Sequence, residues 1–521
     1  GNIDEAFTMA RRFAGEEERP HIERDYASFL LSRADQSGEY SDLTAAITAC
    51  RNIAEHYESQ CNTEFWIAYG KALYRVGRYA TLPDSILEAA TCFRRALADS
   101  IASQSAWHSL ASALASLADY THDPHHYEQA LQCFGATAQL APRDATLLIE
   151  SAHTAYKAGL FLCKEAYLVQ AIEKGKKARA LSKKASRKSR AVCSMALAEL
   201  GHMQGRLSAI REAEDEIDRL LEASDGDATL WHAYGSVLLC SAAYYNDLDT
   251  CYQAIHAFQT GLSLDRSNPE LWVGIGLATK RAARLENDQK LLRRAARFFK
   301  KALDLHITPW HHFLYGSALA SLEEGKAVLY SGLSHMEKAI AAHPHTAYIH
   351  PEWLFECGIA SDSYGTLADS EAHYARALDL FTHVLHVDPT CPDIHYYLAL
   401  VYAHYGDFLA DRTMVETSLH HFASAYRRDA EADYVILDWA TTLINLADLF
   451  PHNPLSPELY AEAEYKLIQA AKLGNVHAWY ALACLCALTK RPEQSLTFLK
   501  KSYDQGALPP LDEVQNDDWL E

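Results

Sequence analysis

The chain repeats itself about every forty-one residues, and that period constrains its fold more than any single motif does. Small residues stand at Gly70, Ala111, Ala152, Ser194, Gly235, Gly276, Gly316, Gly358, Ala399, Ala440 and Ala483, in steps of 41, 41, 42, 41, 41, 40, 42, 41, 41 and 43. Other residues keep the same register. Trp66, Trp107, Trp231, Trp272 and Trp479 precede this anchor by four, and they are five of the nine tryptophans. Ala89, Ala130, Ala171, Ala213, Ala254, Ala295 and Ala377 follow it by nineteen, and Phe93, Phe134, Phe258, Phe299, Phe381 and Phe422 by twenty-three. A chance series of small residues would not carry three companions in phase.

Within each unit the apolar positions fall three and four apart, as in WIAYGKAL and EAATCFRRAL. That is the pattern of two amphipathic helices, and strand alternation is absent. Asp residues in LPDS (82–85) and HDP (122–124), with Asp288 and Asp411, are candidates to cap exposed N–H groups at helix starts. The small anchor and the Ala nineteen later mark where two antiparallel helices approach, and the Trp and Phe are expected to fill the space between neighbouring pairs.

This arrangement resembles the tetratricopeptide repeat, whose helix pair carries Trp, Leu, Gly, Tyr, then Ala, Phe, Ala and a closing Pro. Trp66, Tyr69, Gly70, Leu73, Ala89, Phe93 and Ala96 match in one unit, and Leu354, Cys357, Gly358, Ala377, Phe381 and Pro389 in another, with Pro142 and Pro344 also in the closing place. The resemblance covers residues 60–503. It implies an all-α, right-handed α-α superhelical solenoid of about 11–12 helix pairs. The family unit is about 34 residues, so an insert of about seven lies between the two halves, read as roughly one added turn on each helix. Only the unit from Trp479 keeps the short spacing, Ser495 following Ala483 by twelve.

The expected organisation is a flexible or capping segment over 1–23, a continuous solenoid over 24–503, and an acidic C-terminal cap over 504–521 that the chain's end could cut short. Residues 24–56 read as a degenerate first unit with Phe29 at the anchor, and 190–222 as the weakest internal one. Gly1 in place of Met points to a processed or trimmed chain.

At 521 residues the chain exceeds a single ordinary core, which suits an array with a continuous one. Its net charge of −20 disfavours general attraction to nucleic acid or anionic lipid. No apolar run is long enough for a membrane span. The twelve cysteines are scattered without CxxC steps, which speaks against a zinc or disulfide framework and for a reducing, cytoplasmic setting.

Several motifs invite a chemical reading. WVGIGLATK (272–280) holds Gly274 and Gly276 with Lys280 behind them, but no strand precedes the glycines and no third glycine opens a helix, so it is not a phosphate loop. Gly276 is the register anchor, and Gly274 is read as a coincidence two residues earlier. KGKKARALSKKASRKSR (174–190) holds nine Lys or Arg and no acid. It is either a solvated helix end and loop or, through Lys176, Lys177, Lys183, Lys184, Arg187 and Lys188, a docking patch for RNA, phosphate or an acidic partner. A second basic set from Lys280 to Lys301 is spread over two helices and reads as a solvated face. The histidine clusters HDPHH (122–126), HITPWHH (306–312) and HPHTAYIH (343–350) lack metal-ligand spacing, so no metal and no cofactor is expected. Cys484 and Cys486 read as buried packing, and the acidic tail LDEVQNDDWLE as a cap held by Trp519 and Leu520. No nucleophile constellation stands out, so the chain is not expected to be an enzyme.

In the resembled family the first helix of each pair lines a concave groove. Carried over, the exposed positions three before and one after the anchor become apolar in the C-terminal half: Val273, Leu277, Phe313, Phe355, Ile359, Tyr396, Leu400, Leu437 and Tyr480. Such a track suits an extended or helical peptide with apolar anchors, unless these residues are buried against the next repeat or the terminal segment. The Lys and Asn with which the family grips acidic chaperone tails are absent there. The resemblance therefore implies a scaffold, adaptor or chaperone binding another protein along its groove; the alternative is an RNA or phosphate-ligand binder using the basic block.

Overall fold

A computed structural model describes the chain apart from residues 1, 16–17, 81, 122, 183–185, 343–348, 450–454 and 521. Among the described residues 26 α-helices follow one another and none lies in a β-strand. After α1 (Asn2–Phe13) they come as consecutive pairs: α2 (Arg19–Ser37) and α3 (Tyr40–His56), α4 (Thr63–Tyr79) and α5 (Pro83–Asp99), α6 (Gln104–Thr121) and α7 (Pro124–Leu140), α8 (Ala145–Leu162) and α9 (Glu165–Leu181). Next come α10 (Ser186–Met203) and α11 (Leu207–Ala223), α12 (Ala228–Tyr245) and α13 (Leu248–Leu264), α14 (Pro269–Glu286) and α15 (Gln289–Leu305), α16 (Pro309–Ala320) and α17 (Lys326–Ala341). Then follow α18 (Pro351–Ala368) and α19 (Glu371–Val387), α20 (Ile394–Leu409) and α21 (Arg412–Arg428), α22 (Asp433–Leu449) and α23 (Ser456–Leu473), α24 (Ala478–Leu488) and α25 (Pro492–Asp504), and the short α26 (Leu511–Gln515).

The residues added to each unit lengthen the helices. α14 and α15 have 18 and 17 residues, whereas α24 and α25, in the short unit, have 11 and 13. The unit of α16 is an exception: α16 has 12 residues, and a longer connection over 321–325 takes up the difference. The weak unit near 190–222 is a full pair, α10 and α11. In the first unit Phe29 is only half-buried, its ring 6.0 Å from Phe7 of α1, while Ala27, Leu30 and Ala34 are buried.

The turn inside a pair is short because it is built from two residue types. α12, α14 and α20 end on Asn246, Asn287 and Ala410 in the left-handed region, at φ 51°, 51° and 49°. An Asp follows each and caps the next helix. Asp247 accepts from Thr250 N at 2.8 Å, Asp288 from Lys290 N at 2.6 Å and Asp411 from Thr413 N at 2.9 Å. Asp123 likewise accepts from His125 N at 2.8 Å. Asp84 of LPDS does not cap; it lies in the first turn behind Pro83, where its charge meets the positive end of the helix dipole.

All eleven anchor positions are buried. At Gly70, Gly235, Gly276 and Gly358 the anchor's partner is the Phe twenty-three residues on, within the same pair. A Cβ on Gly276 would stand 2.5 Å from the Phe299 ring, on Gly70 2.6 Å from Phe93, and on Gly358 2.7 Å from Phe381. The Phe is thus the knob inside a pair rather than filler between pairs. Phe258 does both: its ring occupies the space of a Cβ on Gly235 of its own pair and of one on Gly274 of the next. Gly274 is therefore not a coincidence; GxG here receives two rings, Phe258 and Phe299, from successive pairs. At three of its five places the Trp four before the anchor ties down the connection between pairs. Its indole N–H donates to the carbonyl six residues earlier, Trp107 to Ile101 at 2.8 Å, Trp231 to Asp225 at 2.6 Å and Trp272 to Arg266 at 3.0 Å, whereas Trp479 donates to the Gln505 side chain.

The chain divides into two compact units, residues 1–323 with 335–350 and residues 324–334 with 351–521. In each, the first helices of successive pairs approach one another, as α12 does α14 and α20 does α22, and second helices do not approach in this way. The first helices consequently line the inside of the curve.

Candidate binding faces on the first helices

In the second unit the inner face is formed by α18, α20, α22 and α24. Phe355, Ile359, Tyr396, Leu400 and Leu437 lie half-buried along it. The rings also pack on their neighbours. Phe355 lies edge-on to Phe381 at 5.6 Å and to Tyr397 at 5.0 Å, and Tyr396 edge-on to Tyr434 at 5.0 Å. Tyr396 donates its hydroxyl to Asp438 Oδ2 at 2.6 Å, bridging α20 to α22. Tyr480 is different, because the C-terminal segment lies over it: its hydroxyl donates to Asp517 at 2.5 Å, and Trp519 packs on the cluster containing Ala481 and Leu485. Cys484 and Cys486 are buried.

A polar bridge accompanies the aromatic track. His404 Nδ1 of α20 stands 2.9 Å and 3.1 Å from the two carboxylate oxygens of Asp362 on α18. Burial works against charge on His404, but the Asp362 carboxylate outweighs it and Asp438 adds to it, so the imidazole is held above its ordinary pKa. Burial also lifts the Asp438 carboxyl, against the hydrogen bond from Tyr396.

The first unit's inner face is of another kind. Val273 and Phe313 are buried, 5% and 4% exposed, and offer a partner no surface; Leu277 is half-buried. The physical reason is closure of the curve on itself. α8 faces α14 and α16: Lys157 Nζ lies 2.8 Å from Asp119 of α6 and 3.7 Å from Glu270 of α14, and the Phe161 ring is 5.6 Å from Trp310. Burial disfavours charge on Lys157, yet Asp119 and Glu270 outweigh it and keep the ammonium protonated. Burial likewise works against the Glu270 carboxylate, and Lys157 with His232, His311 and His153 overrides it, bringing its pKa down to about 2. Water still touches Glu270, whose side chain is 48% exposed, but water confined between facing helices screens poorly. His153 keeps contact with water, yet desolvation between the facing helices, with Lys157 nearby, drives it down to about 3, and burial lowers His232, His306 and His311 too. These imidazoles are neutral around a fixed ion pair.

Lys280, next to the GxG, is buried in the same unit and donates to Ser317 at 2.5 Å, and Arg281 donates to the Ala243 carbonyl at 3.2 Å. Both serve the packing. In the basic block, Lys176 and Lys177 on α9 and Arg187 and Lys188 on α10 are exposed; Lys183 and Lys184 lie outside the described residues. Arg190, at the block's end, is paired with Glu216 at 2.5 Å. Among the described residues no cluster of His, Cys, Asp and Glu is placed to hold a metal, and no helix is long and apolar enough to cross a membrane.

The Lys157 bridge escaped the sequence reading. Lys157 and Glu270 are partners across the closed curve, and a period only relates equivalent positions along it. His153 and His232 stand one after and three before their anchors Ala152 and Gly235, on the inner face, but nothing local marks them as neighbours of one ion pair.

Consecutive helix pairs in a forty-one-residue register make this an all-α array of repeated helix pairs, the architecture that the resemblance to the tetratricopeptide repeat implies. No protein-family model and no curated protein matches it. Among solved structures it is similar to a tetratricopeptide repeat protein from Parabacteroides merdae, at 16% identity over 56% of this chain and 97% of that one, with a TM-score of 0.41. It is similar to the Cut9–Hcn1 hetero-tetramer of the APC/C at 13% identity over 95% of each chain, with a TM-score of 0.34. The human IFIT1 dimer with PPP-AAAA is matched at 15% identity over 80% of this chain and 85% of that one, with a TM-score of 0.39.

Proposed function

We propose that the chain is a non-enzymatic scaffold or adaptor that holds a segment of another protein on the inner face of its second unit, in a reducing compartment such as the cytoplasm. The observation that carries this is the half-buried, not fully covered, run Phe355, Ile359, Tyr396, Leu400 and Leu437 on three successive first helices. Apolar side chains at helical spacing on adjacent helices are what an amphipathic or extended segment needs for its anchors. Rigid aromatic residues also lose little rotamer freedom when a partner covers them. All twelve cysteines are free thiols, in keeping with a reducing compartment.

A pull-down comparing wild type with Phe355→Ala combined with Leu400→Ala tests this. Loss of specific partners with the helical signal intact is the expected result, and an unchanged partner set would sink the assignment. A second reading rests on the exposed Lys176, Lys177, Arg187 and Lys188: RNA binding there would weaken steeply with salt and vanish when these four are neutralised.

A further inference from the structure

The helices lining the inner face of the second unit share a charge pattern that their partner helices, where acids and bases balance, do not have. α18, α20, α22 and α24 carry seven Asp or Glu and no Lys or Arg. The basic residues of these four pairs fall on the second helices α19, α21, α23 and α25, and on the turn at Lys490 and Arg491. A net excess of acid over the whole chain does not produce such a division; it sorts charge by which side of the curve a helix occupies.

The acids also share the apolar track's azimuth. At about 100° per residue, Asp407 and Asp448, eight after their anchors, project between the positions three before and one after that hold Tyr396, Leu400 and Leu437. Glu352 and Glu356 lie on the same side of α18 as Phe355 and Ile359. Asp407, Asp448 and Glu352 are exposed, and Glu356 is half-exposed. Farther along the face, Asp438 accepts from Tyr396 and Asp362 faces His404, so these two carboxylates are already engaged between helices. A concave wall of one sign focuses its potential into the space it encloses.

We propose that the segment held on this face is cationic, with Lys or Arg side chains interleaved between apolar anchors. This rests on the inner-face binding proposed above and specifies its partner's chemistry. Apolar side chains of the segment cover the Phe355–Leu400–Leu437 track, and its ammonium or guanidinium groups reach the carboxylates that flank it. An acidic or phosphorylated segment is excluded by the same wall, since like charges brought together on a partly desolvated face cost more than the apolar contacts return.

The test uses the full chain and two fluorescent amphipathic peptides of identical Leu/Phe pattern, one with Lys and Arg at its polar positions and one with Glu. Fluorescence anisotropy is followed at low and at physiological salt. The cationic peptide is expected to bind, to weaken as salt rises, and to lose about tenfold in affinity when Glu352→Gln, Glu356→Gln, Asp407→Asn and Asp448→Asn are combined, each exposed charge contributing a few tenths of a kcal/mol. The melting curve of that variant, unchanged from wild type, shows that the fold is kept. Equal or tighter binding of the Glu peptide, or indifference of the cationic peptide to the fourfold neutralisation while Leu400→Ala still weakens it, overturns the charge assignment alone. Failure of both peptides to bind, or binding indifferent to Leu400→Ala, overturns the inner-face binding as well.

Discussion

The two units build their inner faces from the same helix register and reach opposite results. In the first, the curve brings α8 against α14 and α16, and the face is filled by Lys157, its two carboxylates and a set of neutral histidines. In the second, aromatic and aliphatic side chains at equivalent positions stay half-buried, beside carboxylates of the same helices. Groove positions defined by repeat register therefore mark which residues face inward, and leave to the local closure of the curve whether an inward side chain meets a partner or its own chain.

The sharpest break of this comparison is at the shared packing. Phe258→Ala empties the space against both Gly235 and Gly274, and Phe381→Ala that against Gly358. Each should cost about 3–5 kcal/mol, with Phe258 the larger. Equal shifts in urea midpoint for the two would show that the second contact adds nothing.

Lys157→Met should come next. It leaves Asp119 and Glu270 without their cation and should cost about 2 kcal/mol, less than in a dry core because water reaches both carboxylates. Hydrogen exchange should speed up in the first turn of α14 and stay unaltered in α18 to α22; protection that is unchanged in α14 would show that the bridge does not hold the curve closed. Leu400→Ala in the second unit should cost only about 1 kcal/mol, because its side chain is only half-buried, while removing peptide binding. A larger loss of stability than for Lys157→Met would invert the contrast between the faces.

The smallest effects are in pH dependence, and the two inner faces titrate in opposite senses. His404 has a raised pKa, so its pairing with Asp362 stabilises the fold fully below the ordinary histidine value and the gain fades as pH rises through the raised one. Wild type should therefore exceed His404→Gln in stability by more at pH 6 than at pH 8. His153 has a depressed pKa, so the unfolded chain takes up its proton first and wild type loses stability as pH falls below the ordinary value toward about 3. His153→Gln should be the less acid-sensitive protein. Melting curves across pH 4–8 for the three proteins check both signs.

Much of the fold was legible because a period needs no alignment: the helix pairs, the anchor and the length of the last unit follow from spacing. Two things were read amiss for a shared reason. The Phe twenty-three after the anchor looked like filler between pairs, and Gly274 like an accident, because register places residues along the chain and says nothing of which neighbour a ring turns toward. Of the inner-face residues, Val273 and Phe313 proved buried and Tyr480 bound to the tail, since closure and end-covering are long-range events. The charge division between first and second helices was in the sequence throughout. It carried no message until the helices lining the inner curve were known.

Phe258 belongs to two pairs at once, and this bears on how the molecule comes apart. A repeat array whose pairs merely stack can fray at any joint, each opening independently of the last. Where one ring fills the notches of two consecutive glycine-bearing helices, opening the joint between α13 and α14 also unseats the packing inside the pair of α12 and α13. That joint is a weld between otherwise separable links, and the stretch from α12 to α15 should melt as one cooperative block.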